Sequence, residues 1–280
     1  MDLKSLTLLN MVLFVPAFNL VRVTDSDLTW SQMGLVAAAM LIAEVALAVP
    51  LWWVLRIRHV PARTASVMIL TSVIFNSGNF GIPLAERAFG VAGGAVQALI
   101  LMTANVSVWV LGYLLLTAAH RPFHHALGEV VRTPVFLALI AALGLKAFNV
   151  RLPETLHYPL STIALGLVPL ALVTLGAQLA MRQGKPNWRL VGPVVATKLI
   201  GLPLVMTGVV FALGLWPWPG GMLIVASSAP SAVNALLLAV ELDGDSEVAA
   251  DAILWTTLLC SITVTFTLAV VRMAGGVPPP

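Results

Sequence analysis

Charge is scarce in this sequence, and cysteine is almost absent. Only 10% of the 280 residues are charged, whereas 59% are hydrophobic; a soluble domain carries roughly 25% charged residues. No soluble fold of this length could hide so much apolar surface, so the composition predicts an integral membrane protein in a lipid bilayer. The single cysteine, Cys260, excludes a disulfide framework, and no Cys/His spacing typical of a metal site is present.

Motifs for catalysis are also missing from the sequence. It contains no Ser/His/Asp set, no phosphate-binding loop and no pair of catalytic carboxylates, so we expect neither an enzyme nor a cofactor. The net charge of +3 is small, and no basic patch with interleaved aromatic residues argues for nucleic acid as a partner. We interpret His120, His124 and His125, beside Arg121, as a solvated loop rather than a metal site.

Nine apolar segments are candidates for membrane-spanning helices, each of which needs about 20 apolar residues. Most are uninterrupted, but the third is broken at "NSGNFGIP" and the eighth at "APSAVNA". The sequence therefore predicts an all-α polytopic membrane protein with nine transmembrane helices. The segments cover approximately residues 6–21, 34–55, 62–85, 93–118, 134–148, 160–179, 190–213, 222–240 and 250–271.

Basic residues are distributed unevenly between the two sets of connecting loops. The set with more Lys and Arg is expected to face the cytoplasm. This rule predicts a multi-pass protein of the cell membrane with a cytoplasmic N-terminus and an external C-terminus. The richer side carries Lys4, Arg56, Arg58, Arg63, Arg121, Arg132, Arg182, Lys185 and Arg189; the poorer side carries Arg22, Arg87, Lys146, Arg151 and Arg272.

Similar residues recur along the chain at a separation of 153 or 154 positions. Segments one to four match segments six to nine, with the fifth unmatched between them, so the shift is five segments. Because five is odd, matching helices must cross the membrane in opposite directions, which defines an inverted repeat. The recurring pairs are Pro16 and Pro169, Pro50 and Pro203, Asn76 and Pro230, Gly90 and Gly244, Thr103 and Thr257, and Ser107 and Ser261.

Inverted repeats that each contain one broken helix are typical of secondary transporters, whose substrate site lies where the two breaks approach each other. Irregular backbone is tolerated at that depth only inside protein or beside a wet cavity. A broken helix also presents N–H groups and a positive dipole end that attract an anion. The predicted substrate-binding residues are Asn76, Asn79, Gly81 and Pro83 in the first break, and Pro230, Ser231 and Asn234 in the second.

Two ionisable residues lie deep within apolar segments. Glu44 is the acid and Lys198 the base at the centre of a span, and they occupy neighbouring positions of the repeat. Ionisable groups inside a membrane suggest function. Two interpretations stay open: a structural ion pair, or a proton or charge relay. Asp251, the repeat partner of Gln97 near a helix start, is interpreted first as a partner of the helix dipole and second as a member of that relay.

The motifs "NSGNFGIPLAERAFG", "PSAVNALLLAVELDGD" and "ADAILWTTLLCSI" resemble the auxin efflux carrier family over nearly the whole chain. That family includes bacterial permeases thought to move malate and similar carboxylates, and it is grouped with the bile-acid sodium symporters. The resemblance implies an inverted repeat of five plus five helices, with two broken helices crossing in a mobile transport domain beside a scaffold domain. It also implies an elevator-like motion and is compatible with a homodimer. The seven residues named above match the family's crossing site.

The family usually has ten spans, whereas this chain is expected to begin in the second. The resemblance thus divides it into a first repeat over residues 1–118 (family helices 2–5), a cytoplasmic loop over 119–133 and a second repeat over 134–280 (family helices 6–10). The leading functional prediction is a permease of a small organic anion such as a carboxylate. The alternatives are a sodium-coupled symporter, for which the crossing offers Asn and Ser but no acid, and a degenerate, non-transporting membrane protein.

Overall fold

The computed structural model describes residues 8–26, 28–117, 132, 134–167, 169–170, 173, 186–241 and 243–278. Within these ranges the chain is helical, and the one β-feature is an isolated bridge between Phe75 and Ser231. The helices, in chain order, are α1 (Val15–Thr24), α2 (Trp30–Ile57), α3 (Ala62–Val73), α4 (Gly81–Thr117), α5 (Pro134–Ala147), α6 (Glu154–Leu165), α7 (Trp188–Ala196), α8 (Leu202–Ala212), α9 (Gly220–Ser227), α10 (Val233–Glu241) and α11 (Ser246–Met273). Two π-helical turns, Asn10–Phe14 and Thr197–Gly201, precede α1 and join α7 to α8.

Four helical stretches of the described chain are long and apolar enough to cross a membrane: Trp30–Ile57, Gly81–Gly112, Trp188–Ala212 and Ser246–Met273. Shorter apolar helices cover Val12–Thr24, Ala62–Val73 and Phe136–Ala147. The prediction of an all-α, multi-pass membrane protein is therefore confirmed. The count of nine helices and the inverted repeat stay predictions, because much of the sixth segment, nearly all of the loop 119–133 and the three clustered histidines lie outside the described residues.

Local sequence signals account for the helix boundaries. Thr29 starts α2 with a capping box, in which its hydroxyl accepts from the backbone of Gln32 and the Gln32 side chain accepts from the Thr29 backbone. Asp245 caps α11 through Val248 N–H. Gly90 divides α4 at φ 62° and ψ −147°, a backbone conformation that residues with a Cβ rarely adopt. The third segment therefore passes into the fourth through one glycine.

Large apolar side chains on the outer faces of α2 and α11 are exposed, as expected for contact with lipid. Ile262 and Phe266 on α11 are 69% and 70% exposed. Exposed tryptophans stand at helix ends, at Trp30, Trp53 and Trp188, where amphipathic indole rings favour the membrane–water interface. The surface thus has the pattern of a protein surrounded by a bilayer.

The helices pack in two groups. Helix α1 packs against α5 and α6 and touches the rest of the protein chiefly through α4. The interrupted helices α3–α4 and α9–α10 pack with α2, α8 and α11. Both interruptions therefore lie within the larger group.

Polar contacts join the connecting segments to one another at two ends of the molecule. At one end, Lys146 donates to the backbone that follows α1, and Arg272 donates to the chain just before Gly90. At the other end, Arg63 forms an ion pair with Asp243 at 2.9 Å. These contacts agree with the two sets of loops deduced from the basic residues.

Candidate functional site where two interrupted helices meet

The first interruption is a compact turn between the end of α3 at Val73 and the start of α4 at Gly81. Asn76 organises it: its side-chain Oδ1 accepts from the backbone N–H of Asn79 at 3.1 Å. The Asn76 carbonyl accepts from Gly81 N–H at 2.9 Å. Asn76 thereby caps the turn of residues 77–80 that precedes α4, in the manner of an N-cap residue, a role for which asparagine is preferred because its amide oxygen accepts from free N–H groups.

The second interruption lies between the end of α9 at Ser227 and the start of α10 at Val233. It is shorter, and residues 228–232 are all buried. Ser227 and Ser228 each turn the hydroxyl back onto a carbonyl of the preceding helical turn. Pro230 then prevents the helix from continuing, since it has no N–H to donate.

The two interruptions pair with each other in antiparallel orientation. Asn76 N–H donates to the Pro230 carbonyl at 2.7 Å, and Ala232 N–H donates to the Ile74 carbonyl at 3.1 Å. These bonds flank the bridge between Phe75 and Ser231. Each interruption thus satisfies backbone groups that the other leaves without a helical partner, as a low-dielectric setting requires.

Ser231 fixes this crossing from the second interruption. Its hydroxyl donates to the carbonyl of Thr71 at 2.6 Å, and its N–H donates to the hydroxyl of Thr256 at 3.1 Å. The residue is fully buried. The hydroxyl donor is therefore already used to hold α3 in place.

The remaining predicted residues lie beside the same crossing. Asn79 is half-buried in the first turn, and Asn234 is half-buried as the second residue of α10. Pro83 lies in the first turn of α4, where a missing N–H costs nothing. At Gly81, a Cβ would overlap the amide nitrogen of Gln97. The space above Gly81 is thus filled by protein.

Gln97 is a neighbour of the site to which the sequence assigned no binding role. It is fully buried in α4, and its Nε2 donates to the Ser77 carbonyl at 2.6 Å. The available signal was an amide inside an apolar helix, together with its repeat relation to Asp251. Asp251 itself is buried near the start of α11.

Lys198 lies against the crossing as well. It is fully buried in the π-helical turn, and its Nζ donates to the carbonyl of Ser227 at 3.0 Å. The same ammonium lies 5.1 Å from the ring centroid of Phe75, within cation–π range. One cation therefore contacts the end of α9 and the first interruption.

Glu44 is buried on α2, and its Oε1 accepts from the hydroxyl of Ser107 at 3.1 Å. Both Glu44 and Lys198 are buried. However, the ion pairs formed within 4.0 Å by the described residues do not include one between them. The direct ion pair, one of the two interpretations of these residues, is thus not formed in this structure.

The fold consists of apolar helices, two of which are interrupted and pair with each other beside buried charges. This arrangement is typical of membrane transporters. The family comparison agrees: residues 123–268, slightly more than half of the chain, match the family described as "Membrane transport protein". The chain belongs to this family, the auxin efflux carrier family, as its motifs predicted.

A curated protein of Rhizobium meliloti (strain 1021), named "Putative malonate transporter", is similar to this chain. The two are 28% identical over an alignment of 212 residues, which covers 72% of this chain and 66% of that protein. The similarity thus extends over just under two thirds of that relative's length.

Proposed function

We propose that this protein is a secondary-active permease for a small organic anion such as a carboxylate, bound where the two interruptions cross. The observation that carries the proposal is the antiparallel pairing of the two broken helices through Asn76, Pro230, Ile74 and Ala232. In secondary transporters with inverted repeats, discontinuous helices of this kind form the substrate site.

The groups around the crossing suit an anion. Asn79 and Asn234 are half-buried amides, one at each interruption, and the Nδ2 of Asn76 is buried without a hydrogen-bond partner among the described residues. The first turn of α4 adds the positive end of a helix dipole. Lys198 supplies a nearby positive charge. In this proposal Gly81, Pro83, Pro230 and Ser231 form the frame that holds these donors.

Alternating access would follow from a movement between the two packing groups. Helix α1, with α5 and α6, would be the scaffold, and the crossing group would slide against it. The ion pair between Arg22 on α1 and Glu86 on α4, at 2.8 Å, joins the two groups. A flexible bis-maleimide that links Arg22→Cys to Glu86→Cys should stop transport, and unreacted protein with both substitutions should transport; transport by fully linked protein would contradict an elevator-like motion.

The buried charges would couple transport to protons. Glu44, Lys198 and Asp251 are all buried. We expect Glu44→Gln to keep the Ser107 hydrogen bond and the fold, and to abolish the pH dependence of transport. An unchanged pH profile would remove Glu44 from the relay.

The function itself is tested with purified protein in proteoliposomes. Uptake or counterflow would be measured over mono- and dicarboxylates, including malonate because of the relative's name. The informative variant is Asn76→Asp, because its Oδ1 can still cap Asn79 while the Nδ2 donor is replaced by a negative charge. We expect it to fold and to lose carboxylate binding. Failure of the wild-type protein to bind or move any carboxylate would overturn the proposal.

The orientation can be tested by labelling. Cys260, the only cysteine of the sequence, is buried, so a cysteine introduced by Pro280→Cys should react above a low background. Reaction with an impermeant maleimide from outside the cell supports an external C-terminus. Reaction only from the cytoplasmic side would reverse the assignment.

A further inference from the structure

Two buried amide atoms at the first interruption have no hydrogen-bond partner among the described residues. One is a donor, Nδ2 of Asn76, and the other is an acceptor, Oε1 of Gln97. Asn76 is 6% exposed and Gln97 is fully buried. Leaving buried polar groups unpaired destabilises a protein, so their presence together calls for an explanation.

The orientation of both amides follows from their other hydrogen bonds. The Gln97 group that faces the Ser77 carbonyl must be the NH2 group, because a carbonyl only accepts. The Asn76 group that faces the N–H of Asn79 must be the oxygen, because an N–H only donates. Exchanging the nitrogen and oxygen of either amide would place two like groups against each other. The free donor and the free acceptor are therefore real features of the site.

Both amides are anchored to the same short turn. Asn76 caps its beginning, and Gln97 binds its second residue and packs on Gly81 at its end. The two free atoms do not bond each other, since neither has a partner. A ligand that satisfies both must offer an acceptor to Asn76 and a donor to Gln97.

We infer that Gln97 is a specificity-determining residue of the proposed anion site. The carboxylate of the ligand would accept from Asn76, and a neighbouring hydroxyl, amide or protonated second carboxyl would donate to Gln97. The protein then prefers carboxylates that carry a hydrogen-bond donor beside the anion over carboxylates of the same size without one. This inference rests on the proposed function, which requires only that a carboxylate binds.

Matched ligand pairs test the preference on the wild-type protein. Lactate differs from propionate by its hydroxyl, and malonamate differs from monomethyl malonate by an NH2 group in place of a methoxy group. Isothermal titration in detergent should show the donor-bearing member of each pair binding about 5- to 100-fold more tightly. Equal affinities within both pairs would overturn the inference, because a water molecule would then satisfy Gln97 regardless of the ligand.

A substitution tests whether Gln97 is the residue that causes the preference for donor-bearing carboxylates. Gln97→Met keeps a similar length without an amide acceptor, so the ratio within each pair should fall to about one while propionate still binds. Gln32→Met, the same change in the capping box of α2, should leave the ratio unchanged. A ratio retained in Gln97→Met would show that another group reads the donor. Absence of binding of any mono- or dicarboxylate to wild type would instead contradict the proposed function, so the two failures are distinguishable.

Discussion

The first interruption is rich in amides and partly open, whereas the second is closed and buried throughout. Gly78, Asn79 and Phe80 are half-buried in the first, whereas residues 228–232 of the second are all buried. The first retains an unpartnered donor at Asn76, while Ser231 in the second uses both its hydroxyl and its N–H within the protein. The first interruption can therefore offer groups to a ligand, whereas residues 228–232 fix the crossing, and Asn234 at the start of α10 is the amide that the second half of the protein adds.

The buried charges also differ between the two halves of the protein. Lys198 binds the carbonyl of Ser227, the last residue of α9, where the helix dipole presents its negative end. Glu44, at the neighbouring position of the proposed repeat, binds Ser107 instead and leaves its second oxygen without a hydrogen-bond partner among the described residues. Lys198 thus places a cation at the end of α9 that also contacts Phe75 of the first interruption, and the first half of the protein has a buried acid.

Removing this cation should have the largest effect on stability. Lys198→Met leaves the Ser227 carbonyl without its donor and Glu44 without a nearby positive charge. Removing one member of a buried charge pair costs about 3–5 kcal/mol. Because Glu44 and Lys198 do not touch, we expect a cost at the lower end of this range. The free energy of unfolding, measured by SDS titration in mixed micelles, should fall by about 3 kcal/mol.

A control variant and a double variant show what the loss of stability in Lys198→Met is due to. Lys146→Met, at the half-buried end of α5, should cost much less and serves as the control. Adding Glu44→Gln to Lys198→Met should restore part of the loss, because the uncompensated acid is removed. Strictly additive losses would show that the electrostatic interaction between Glu44 and Lys198 contributes nothing to stability.

The amide side chains should have the next largest effect, on binding rather than on folding. Hydrogen bonds to a charged group contribute roughly 1.5–3 kcal/mol each, so Asn79→Ala or Asn234→Ala should weaken carboxylate binding by roughly 10- to 150-fold. Thermal stabilisation by ligand measures the change. A loss in Asn79→Ala alone would sharpen the contrast between the interruptions, and wild-type affinity in both variants would place the anion elsewhere.

The positions of both interruptions were predictable because their composition departs sharply from the apolar segments around them. Gly, Pro and Asn disfavour helix locally, and a common spacing of about 154 residues indicated that the two breaks are related. Which polar groups of the interruptions are hydrogen-bonded within the protein, and which stay free, was not predictable. The sequence does not show that the Ser231 hydroxyl donates to the Thr71 carbonyl or that Gln97 fills the space above Gly81. These contacts join residues that are not neighbours in the chain.

The same limit applies to the deep charges. Their depth and repeat relation suggested a pair, but each binds another group in the structure: Ser107 for Glu44, and Ser227 for Lys198. Sequence spacing along a helix gives depth, whereas the partner depends on how the helices are rotated and packed. Tertiary packing alone decides that rotation.

Glycine substitutions at the first turn should have a moderate effect that depends on which glycine is changed. Gly81→Ala places a Cβ on the Gln97 amide and should displace it, at a cost of about 1–3 kcal/mol for overpacking. Gly78→Ala is the matched control, because its Cβ would meet only Leu101 Cδ1 at 3.6 Å, an ordinary contact. SDS titration of both variants measures the difference. Equal stabilities would show that Gln97 can move away at no cost.

Ser231→Ala should have the smallest effect and tests whether the second interruption is an anchor. The variant removes the hydroxyl bond to Thr71 but keeps both backbone bonds of the crossing, so the free energy of unfolding should fall by about 0.5–1.5 kcal/mol. Propionate affinity should stay within about twofold of wild type, since the hydroxyl donor is used by the protein. Ser261→Ala, which removes an exposed hydroxyl bonded within its own helix, should change stability by less than about 0.5 kcal/mol. A loss of propionate affinity in Ser231→Ala without a loss of stability would assign the hydroxyl to the ligand, and the division of work between the two interruptions would no longer hold.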